Sequence, residues 1–183
     1  MVEVDHSAFI VAARDGLPLP PMAGVVVSQR IDARPERVWA VLADLEHHPS
    51  WMLDARSVVV TSPMRRGVGT TMEVVTRIGP FRTTDVMMVT GWEEGRSIRV
   101  AHRGLVTGEG QLSIFPEGTS SLVSWVESLR FPWWVGGGVT AWVARPILRR
   151  VWAKNLQTLA ELLAFEPRGP LLDEGGDTFP GVP

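Results

Sequence analysis

Short runs in which apolar and polar residues alternate cover most of the middle of the chain. The first is Val25–Ile31, in which Val25, Val27 and Ile31 share one face. Six further runs are separated by breaks containing glycine, proline or acidic residues: 57–62, 70–78, 82–92, 97–103, 110–115 and 121–131. Because the breaks are short, successive strands are predicted to form hairpins, and the runs together predict an antiparallel sheet of six or seven strands.

Two parts of the chain change to a helical period. Pro35 suits a first helical position, Glu36 suits the positive end of a helix dipole, and residues 47–51 predict a second, very short helix. Near the end of the chain, one side of a long helix running to about Phe165 is predicted from Val139, Val143, Ile147, Val151, Leu159 and Leu162 or Leu163. Pro146 is expected to kink this helix or to mark its true start.

The order of elements is therefore strand, two short helices, six strands and one long helix, which predicts an α+β fold. A six- or seven-stranded sheet cannot cover its own apolar face with short hairpins, and the long C-terminal helix is the only element available to do so. We expect a curved sheet around that helix, with space between them for an apolar small molecule. Residues 1–22 and 166–183 are rich in proline or glycine, so a flexible N-terminal segment, a domain over 23–165 and a flexible C-terminal tail are predicted.

Composition narrows the class of protein. The chain has 183 residues, 45% of them hydrophobic and 21% charged, which fits one domain with a sizeable core. There is no cysteine, which excludes disulfides and thiolate metal sites. The first residues lack the pattern of a signal peptide, and a cytoplasmic protein is expected. The net charge of −2 argues against nucleic acid as a partner.

Several phrases of the sequence occur in the order found in one superfamily. They are Ile31-Asp32-Ala33-Arg34-Pro35-Glu36-Arg37-Val38-Trp39, Asp44-Leu45 with Pro49-Ser50-Trp51, Val89-Thr90-Gly91-Trp92-Glu93, Gly118-Thr119, and Arg149-Arg150 to Asn155-Leu156 behind Pro146. Over roughly residues 24–165 the chain thus resembles the polyketide cyclase/dehydrase and START-like (SRPBCC) superfamily. The resemblance implies the helix-grip fold of the birch pollen allergen. It leaves the activity open, because the superfamily contains lipid carriers, aromatic-polyketide cyclases and hormone receptors.

Three ionisable residues are predicted on the face of the sheet that turns toward the helix. They share strand faces with apolar residues: Asp85 with Met87 and Val89, His102 with Ile98 and Val100, and Glu127 with Trp125 and Leu129. If all three faces turn inward, these side chains lie in one cavity, where burial without a partner would be costly. Each is then a candidate general acid or base. A register slip of one residue would turn them to solvent instead.

The leading hypothesis is that the protein binds a lipid- or polyketide-like hydrophobic molecule in this cavity, as a carrier or binding protein. The alternative is a polyketide cyclase, aromatase or dehydratase in which Asp85, His102 and Glu127 are the catalytic candidates, so the sequence leaves open whether the protein is an enzyme. The cavity is expected to open near Trp51. The predicted ligand-binding residues are Trp51, Met72, Val74, Asp85, Met87, Val89, His102, Trp125, Glu127, Leu129, Val139 and Val143.

One short cluster of residues has the spacing of a possible metal site. Asp44 and His47 stand at an i, i+3 spacing and His48 follows, but adjacent histidines point in different directions and no other cluster supplies ligands. These residues are expected to cap a helix end and to face water. Neither a metal nor a cofactor is predicted.

A basic stripe on the long helix leaves two interpretations. Arg145, Arg149, Arg150 and Lys154 occur near Trp134, Trp142 and Trp152. This pattern is typical of the solvated outer side of a covering helix, and it also suits peripheral contact with an anionic membrane surface. The oligomeric state is left open.

Overall fold

The computed structural model of the protein describes residues 24–135 and 137–165, apart from the side chains of residues 135, 137–139, 141 and 165. The predicted terminal segments, 1–22 and 166–183, lie outside the described residues. The strands are β1 Val25–Ile31, β2 Ala55–Val60, β3 Thr71–Ile78, β4 Phe81–Glu93, β5 Ser97–Arg103, β6 Thr107–Glu117 and β7 Ser120–Arg130. The helices are α1 Pro35–Leu42 and α2 Gly137–Phe165, with 3-10 turns at Leu45–Ser50 and Trp133–Val135. The predicted α+β order is confirmed.

The seven strands form one antiparallel sheet in the order β1-β7-β6-β5-β4-β3-β2. Successive strands from β2 to β7 are joined as a meander, and β1 closes the far edge by pairing with β7. The register shifts between Ala55 and Ser57 and again between Val89 and Gly91. Such bulges bend strands and increase their twist, which helps this sheet to curl around α2.

Helix α1 begins at Pro35, as predicted, and buries Val38, Trp39 and Leu42. In the following turn the sequence interpretation holds for His47, whose Nδ1 lies 2.8 Å from Asp44 Oδ2 on the exposed surface. It is wrong for His48, which is buried, with Nε2 2.9 Å from the carbonyl oxygen of Leu42. Burial lowers the pKa of His48. His48 therefore fixes the turn between α1 and β2.

Helix α2 is continuous through Pro146, so this proline does not mark its start. The residues of α2 that pack into the core are Trp152, Asn155, Leu156, Leu159 and Leu163. Among the described elements, α2 packs most closely on β1 and β7. Val143 and Ile147, which the apolar pattern had placed on the same side as Leu159, are about half exposed. No helix in the described part of the chain is long and apolar enough to cross a membrane.

Candidate functional site

The strand register brings the three predicted ionisable residues onto the concave face of the sheet. Met87 of β4 stands opposite His102 of β5, and Glu127 of β7 stands opposite Gly110 of β6. Asp85 precedes Met87 by two positions and so shares its face. Asp85 and Glu127 are buried and His102 is mostly buried. The expected juxtaposition of these three residues is therefore present in the fold.

His102 and Glu127 meet across an intervening strand. Their strands, β5 and β7, are separated by β6, which sets their backbones about 10 Å apart. The inward positions of β6 between them are Gly108 and Gly110, which have no side chains. Nε2 of His102 lies 2.7 Å from Oε1 of Glu127, and a Cβ at Gly110 would overlap the Glu127 carboxylate. The absence of a side chain at Gly110 thus leaves room for the carboxylate of this pair, whereas a Cβ at Gly108 would meet the backbone of Ser128.

A cluster of tryptophans surrounds the other carboxylate oxygen of Glu127. Nε1 of Trp125 donates a hydrogen bond of 2.7 Å to Oε2 of Glu127. The Trp125 ring stacks on Trp152 of α2 with centroids 5.5 Å apart, and the edge of Trp51 packs against it at 6.2 Å. Trp152, which the sequence had assigned to a basic outer stripe, therefore lies in the core beneath the site. The cluster holds the carboxylate in a largely apolar environment.

The charges around His102 favour its protonated form. Burial disfavours an imidazolium and so lowers the pKa of His102, but the hydrogen bond and charge of Glu127 outweigh it, with a further contribution from Asp85. The net effect raises the pKa of His102 above its usual 6.5. The pair is thus favoured as imidazolium and carboxylate. It can hold a proton at Nε2 or hand it to a bound group.

Asp85 lies one row of residues closer than Met87 and His102 to the end of the sheet that carries the β3–β4 turn. Its Oδ2 accepts a hydrogen bond of 2.9 Å from Oγ1 of Thr83. Its Oδ1 is buried and has no hydrogen-bond partner among the described residues. A Cβ at Gly104, in the turn between β5 and β6, would overlap this carboxylate. Asp85 is therefore fitted closely against that turn, with one acceptor atom unused.

Two further polar residues of the site were missed in the sequence. Nδ2 of Asn155 donates a hydrogen bond of 2.6 Å to Oδ1 of Asp54, and the N–H of Leu53 donates to Oδ1 of Asn155 at 2.9 Å. Burial raises the pKa of Asp54, the Asn155 hydrogen bond opposes this, and the charge of Glu127 adds to the rise. The signal for Asn155 was an amide within the apolar stripe of α2. Asp54 lies in a turn and gave no signal.

The remaining predicted lining residues fall into three groups. Met87 and Leu129 are partly buried at the margin of the core. Val143 is exposed and lies nine residues before Trp152, half a turn out of phase with the core-facing side of α2, whereas the side chain of Val139 lies outside the described residues. The fully packed members are Trp51, Met72, Val74, Val89 and Trp125.

Exposed apolar side chains gather at one end of the sheet, which we call the hairpin end. The register places there the β3–β4 turn beside Phe81, the β5–β6 turn at residues 104–106, the end of β7 and, after it, the start of α2. Trp133 is 84% exposed and Trp142 is 72% exposed. Other exposed side chains of this end are Leu53, Leu105, Trp134, Arg82, Arg103 and Arg130. Soluble proteins rarely expose so many large apolar groups together, so the hairpin end is a candidate entrance or contact surface.

Metal binding finds no support in this geometry. Within the described residues, no three histidine, aspartate or glutamate side chains are grouped closely enough to hold a metal ion.

Comparison with known proteins gives a family. The family model described as polyketide cyclase / dehydrase and lipid transport matches residues 22–164. No curated protein matches the sequence.

Several solved structures share the fold at low sequence identity. A protein of Thermus thermophilus is 20% identical, with 77% of this chain and 97% of that one covered and a TM-score of 0.68. The Zhui aromatase/cyclase of Streptomyces sp. R1128 is 15% identical, with 77% and 93% covered and a TM-score of 0.59. A START superfamily protein of Mycobacterium smegmatis is 18% identical, with 77% and 94% covered and a TM-score of 0.55. At these identities the likeness is one of fold.

Proposed function

Because the chain belongs to the polyketide cyclase / dehydrase and lipid transport family, we propose that it binds a lipid- or polyketide-like small molecule between the concave face of the sheet and α2, as a carrier or binding protein. The observation that carries this proposal is the polar cluster of Asp85, His102 and Glu127 within an otherwise apolar concave face. A few convergent polar groups among apolar side chains are typical of small-molecule sites. Packing alone gives no reason to bury them there.

The position of α2 supports a ligand space. The helix packs most closely on β1 and β7, at one edge of the sheet, whereas Met87 on β4 and Val100 on β5 are only partly buried. When a ligand covers partly exposed apolar side chains on a concave face, its binding is favoured by roughly 25 cal/mol for each Å² of apolar surface removed from water. We place the ligand over β4 to β6, beside the glycines of β6.

The hairpin end is the proposed entrance. Its exposed tryptophans, together with Arg82, Arg103 and Arg130, have the chemistry of a surface that rests on anionic headgroups while aromatic rings enter the interface. Peripheral membrane contact at this end would allow a lipid-like ligand to pass directly between the bilayer and the site.

Adjacent methionines on opposite faces of β4 provide a matched test. Met87 points to the concave face and Met88 to the convex face. Met87→Trp should weaken binding of the neutral apolar probe diphenylhexatriene by about tenfold, because the larger ring fills the ligand space, and Met88→Trp should leave the affinity unchanged. Binding is measured by probe fluorescence, with circular dichroism as the folding control. Equal affinities in both variants, or unfolding caused by Met87→Trp alone, would contradict the proposed lining.

An enzymatic role is the second candidate, and the His102–Glu127 contact of 2.7 Å is the observation that favours it. A carboxylate that orients and charges an imidazole is a common general acid–base arrangement. Native mass spectrometry of freshly purified protein distinguishes the two functions. A co-purifying molecule whose mass stays constant on incubation fits a carrier, and loss of water from that molecule fits a dehydratase or cyclase.

A further inference from the structure

Apart from Nε2 of His102 and Oε1 of Glu127, which lie 2.7 Å from each other, two buried polar atoms of the site have no hydrogen-bond partner among the described residues. They are Oδ1 of Asp85 and Nε1 of Trp51, and the two residues are 6% and 0% exposed. A buried donor or acceptor without a partner has lost its hydrogen bonds to water and has gained none in return, which is unfavourable. Each atom therefore indicates a group that is supplied from outside the described residues. Asp85 requires a hydrogen-bond donor.

Carboxyl groups outnumber cationic groups around Asp85. Asp54, Asp85 and Glu127 contribute three carboxyl groups, and His102 is the cationic partner beside them. The basic residues of α2 that share the helical phase of Leu156 are Arg145 and Arg149, which precede it by eleven and seven residues. Both lie toward the start of α2, at the hairpin end. Cationic side chains thus stand near the entrance, and carboxyl groups predominate inside.

A further carboxylate, brought into this interior by a ligand, would be unfavourable. It would bring like charge close to Asp85 and Glu127 and could not donate a hydrogen bond to Oδ1 of Asp85. A hydroxyl group can donate this hydrogen bond at no cost in charge. A protonated amine donates it and also offsets the excess of carboxyl groups.

Resting on the proposed function, we propose that the bound molecule is an amphiphile whose polar end is a hydrogen-bond donor, either a hydroxyl or a protonated amine, held by Asp85. An apolar tail of this molecule lies along Met87 and Leu129, which are one row of residues farther from the hairpin end than Asp85. The interior rejects fatty-acid carboxylates. The site thereby selects among lipid-like molecules by whether their polar end can donate a hydrogen bond.

Four ligands with the same twelve-carbon chain test this selectivity: dodecylamine, dodecanol, dodecyl methyl ether and dodecanoate. Titration calorimetry at pH 7, below the micelle concentrations, should give at least about tenfold tighter binding for the amine and the alcohol than for the ether and the carboxylate, which is about 1.4 kcal/mol. The comparison uses the wild-type protein, so it does not depend on the folding of a variant. Dodecanoate or the ether binding as tightly as dodecanol overturns the inference.

Asp85→Asn assigns the selectivity to a residue, because it keeps the side-chain size and removes the charge. The variant should lose about tenfold in affinity for dodecylamine and keep its affinity for the ether. Glu73→Gln, on the exposed convex face of β3, is the matched control and should change neither. An amine preference that survives Asp85→Asn contradicts the role of Asp85. Failure of all four ligands to bind the wild-type protein overturns the proposed function itself, whereas equal binding of all four overturns only the donor preference.

Discussion

Gly110 leaves the space that the carboxylate of Glu127 occupies. It is the residue of β6 opposite Glu127, and it lies in the path between the β5 and β7 side chains. Because no left-handed backbone angle is present at this position, a glycine is not needed there for the conformation of the strand. The close approach of the Glu127 carboxylate is the reason that a side chain is excluded.

Gly110→Ala should therefore separate Glu127 from His102 while leaving the strand intact. The expected result is a fall in the pKa of His102, because the new methyl group displaces the carboxylate that favours the imidazolium. Titration of the His102 ring by NMR measures it. Gly91→Ala is the control, since its Cβ would approach Cβ of Arg99 and no carboxylate. An unchanged His102 titration in the Gly110 variant would show that the pair tolerates the methyl group.

At the scale of elements, α2 has two different halves. Its second half is anchored in the core, where Asn155 ties it to the turn at Leu53 and Asp54. Its first half carries Trp142, Val143 and Ile147, which are largely exposed. Apolar side chains at the surface of one half of a helix indicate a partner for that half. The neighbouring hairpin turns also expose apolar side chains. Together with the first half of α2 they form one apolar surface at the hairpin end.

Vesicle binding is the prediction at this scale. The protein should sediment with vesicles containing phosphatidylglycerol more than with pure phosphatidylcholine vesicles, because arginines at the hairpin end favour anionic headgroups. Trp142→Ser should weaken that binding by about tenfold through loss of inserted apolar area. Val68→Ser is the control, because Val68 is exposed in the β2–β3 connection at the opposite end. Protein that remains in the supernatant with both vesicle types would remove membrane contact from the proposed function.

For the whole molecule, buried ionisable groups link stability to pH. The raised pKa of His102 means that its contribution is fully present below pH 6.5 and is lost as pH rises through the raised value. His48 has the opposite sign, because its pKa is lowered by burial and its contribution is lost as pH falls below 6.5. Asp54, with a raised pKa, loses its contribution as pH rises. The free energy of unfolding of the whole protein therefore combines the opposite pH dependences of His48 on one side and of His102 and Asp54 on the other.

His102→Gln isolates one of these pH dependences. The variant should be less stable than wild type by about 3–5 kcal/mol at about pH 6, because Glu127 is left buried without its cationic partner. The difference should shrink as pH rises above 6.5 and through the raised pKa of His102. Urea unfolding across this range measures it. His47→Gln is the comparison, because the exposed Asp44 also raises the pKa of His47, and its pH-dependent change should have the same sign but be much smaller. A difference that is constant with pH would mean that the pKa of His102 is the same in the folded and the unfolded protein.

The sequence by itself determined the elements, and most of their bounds to within two residues. Alternation with period two identified all seven strands, and Pro35 identified the start of α1, because local backbone preferences and burial on one face act within a few residues. The same alternation put Asp85, His102 and Glu127 on faces shared with apolar residues, which was enough to predict that they lie together once the faces turn inward. The resemblance identified the family for a similar reason. The short sequence segments that carry it form turns and helix ends, which depend on residues close together in the chain.

Tertiary structure alone decided which groups touch. The contact between His102 and Glu127 depends on the order of three strands and on Gly110 between them, and no local pattern encodes a relation across β6. The face of α2 that packs inward was also decided by packing. A stripe beginning at Val139 and Val143 and one containing Trp152 and Leu156 are both apolar, and the stacking of Trp152 on Trp125 selects the second. Asp54 entered the site only because Asn155 reaches it from the far end of the chain, a contact that long-range packing creates.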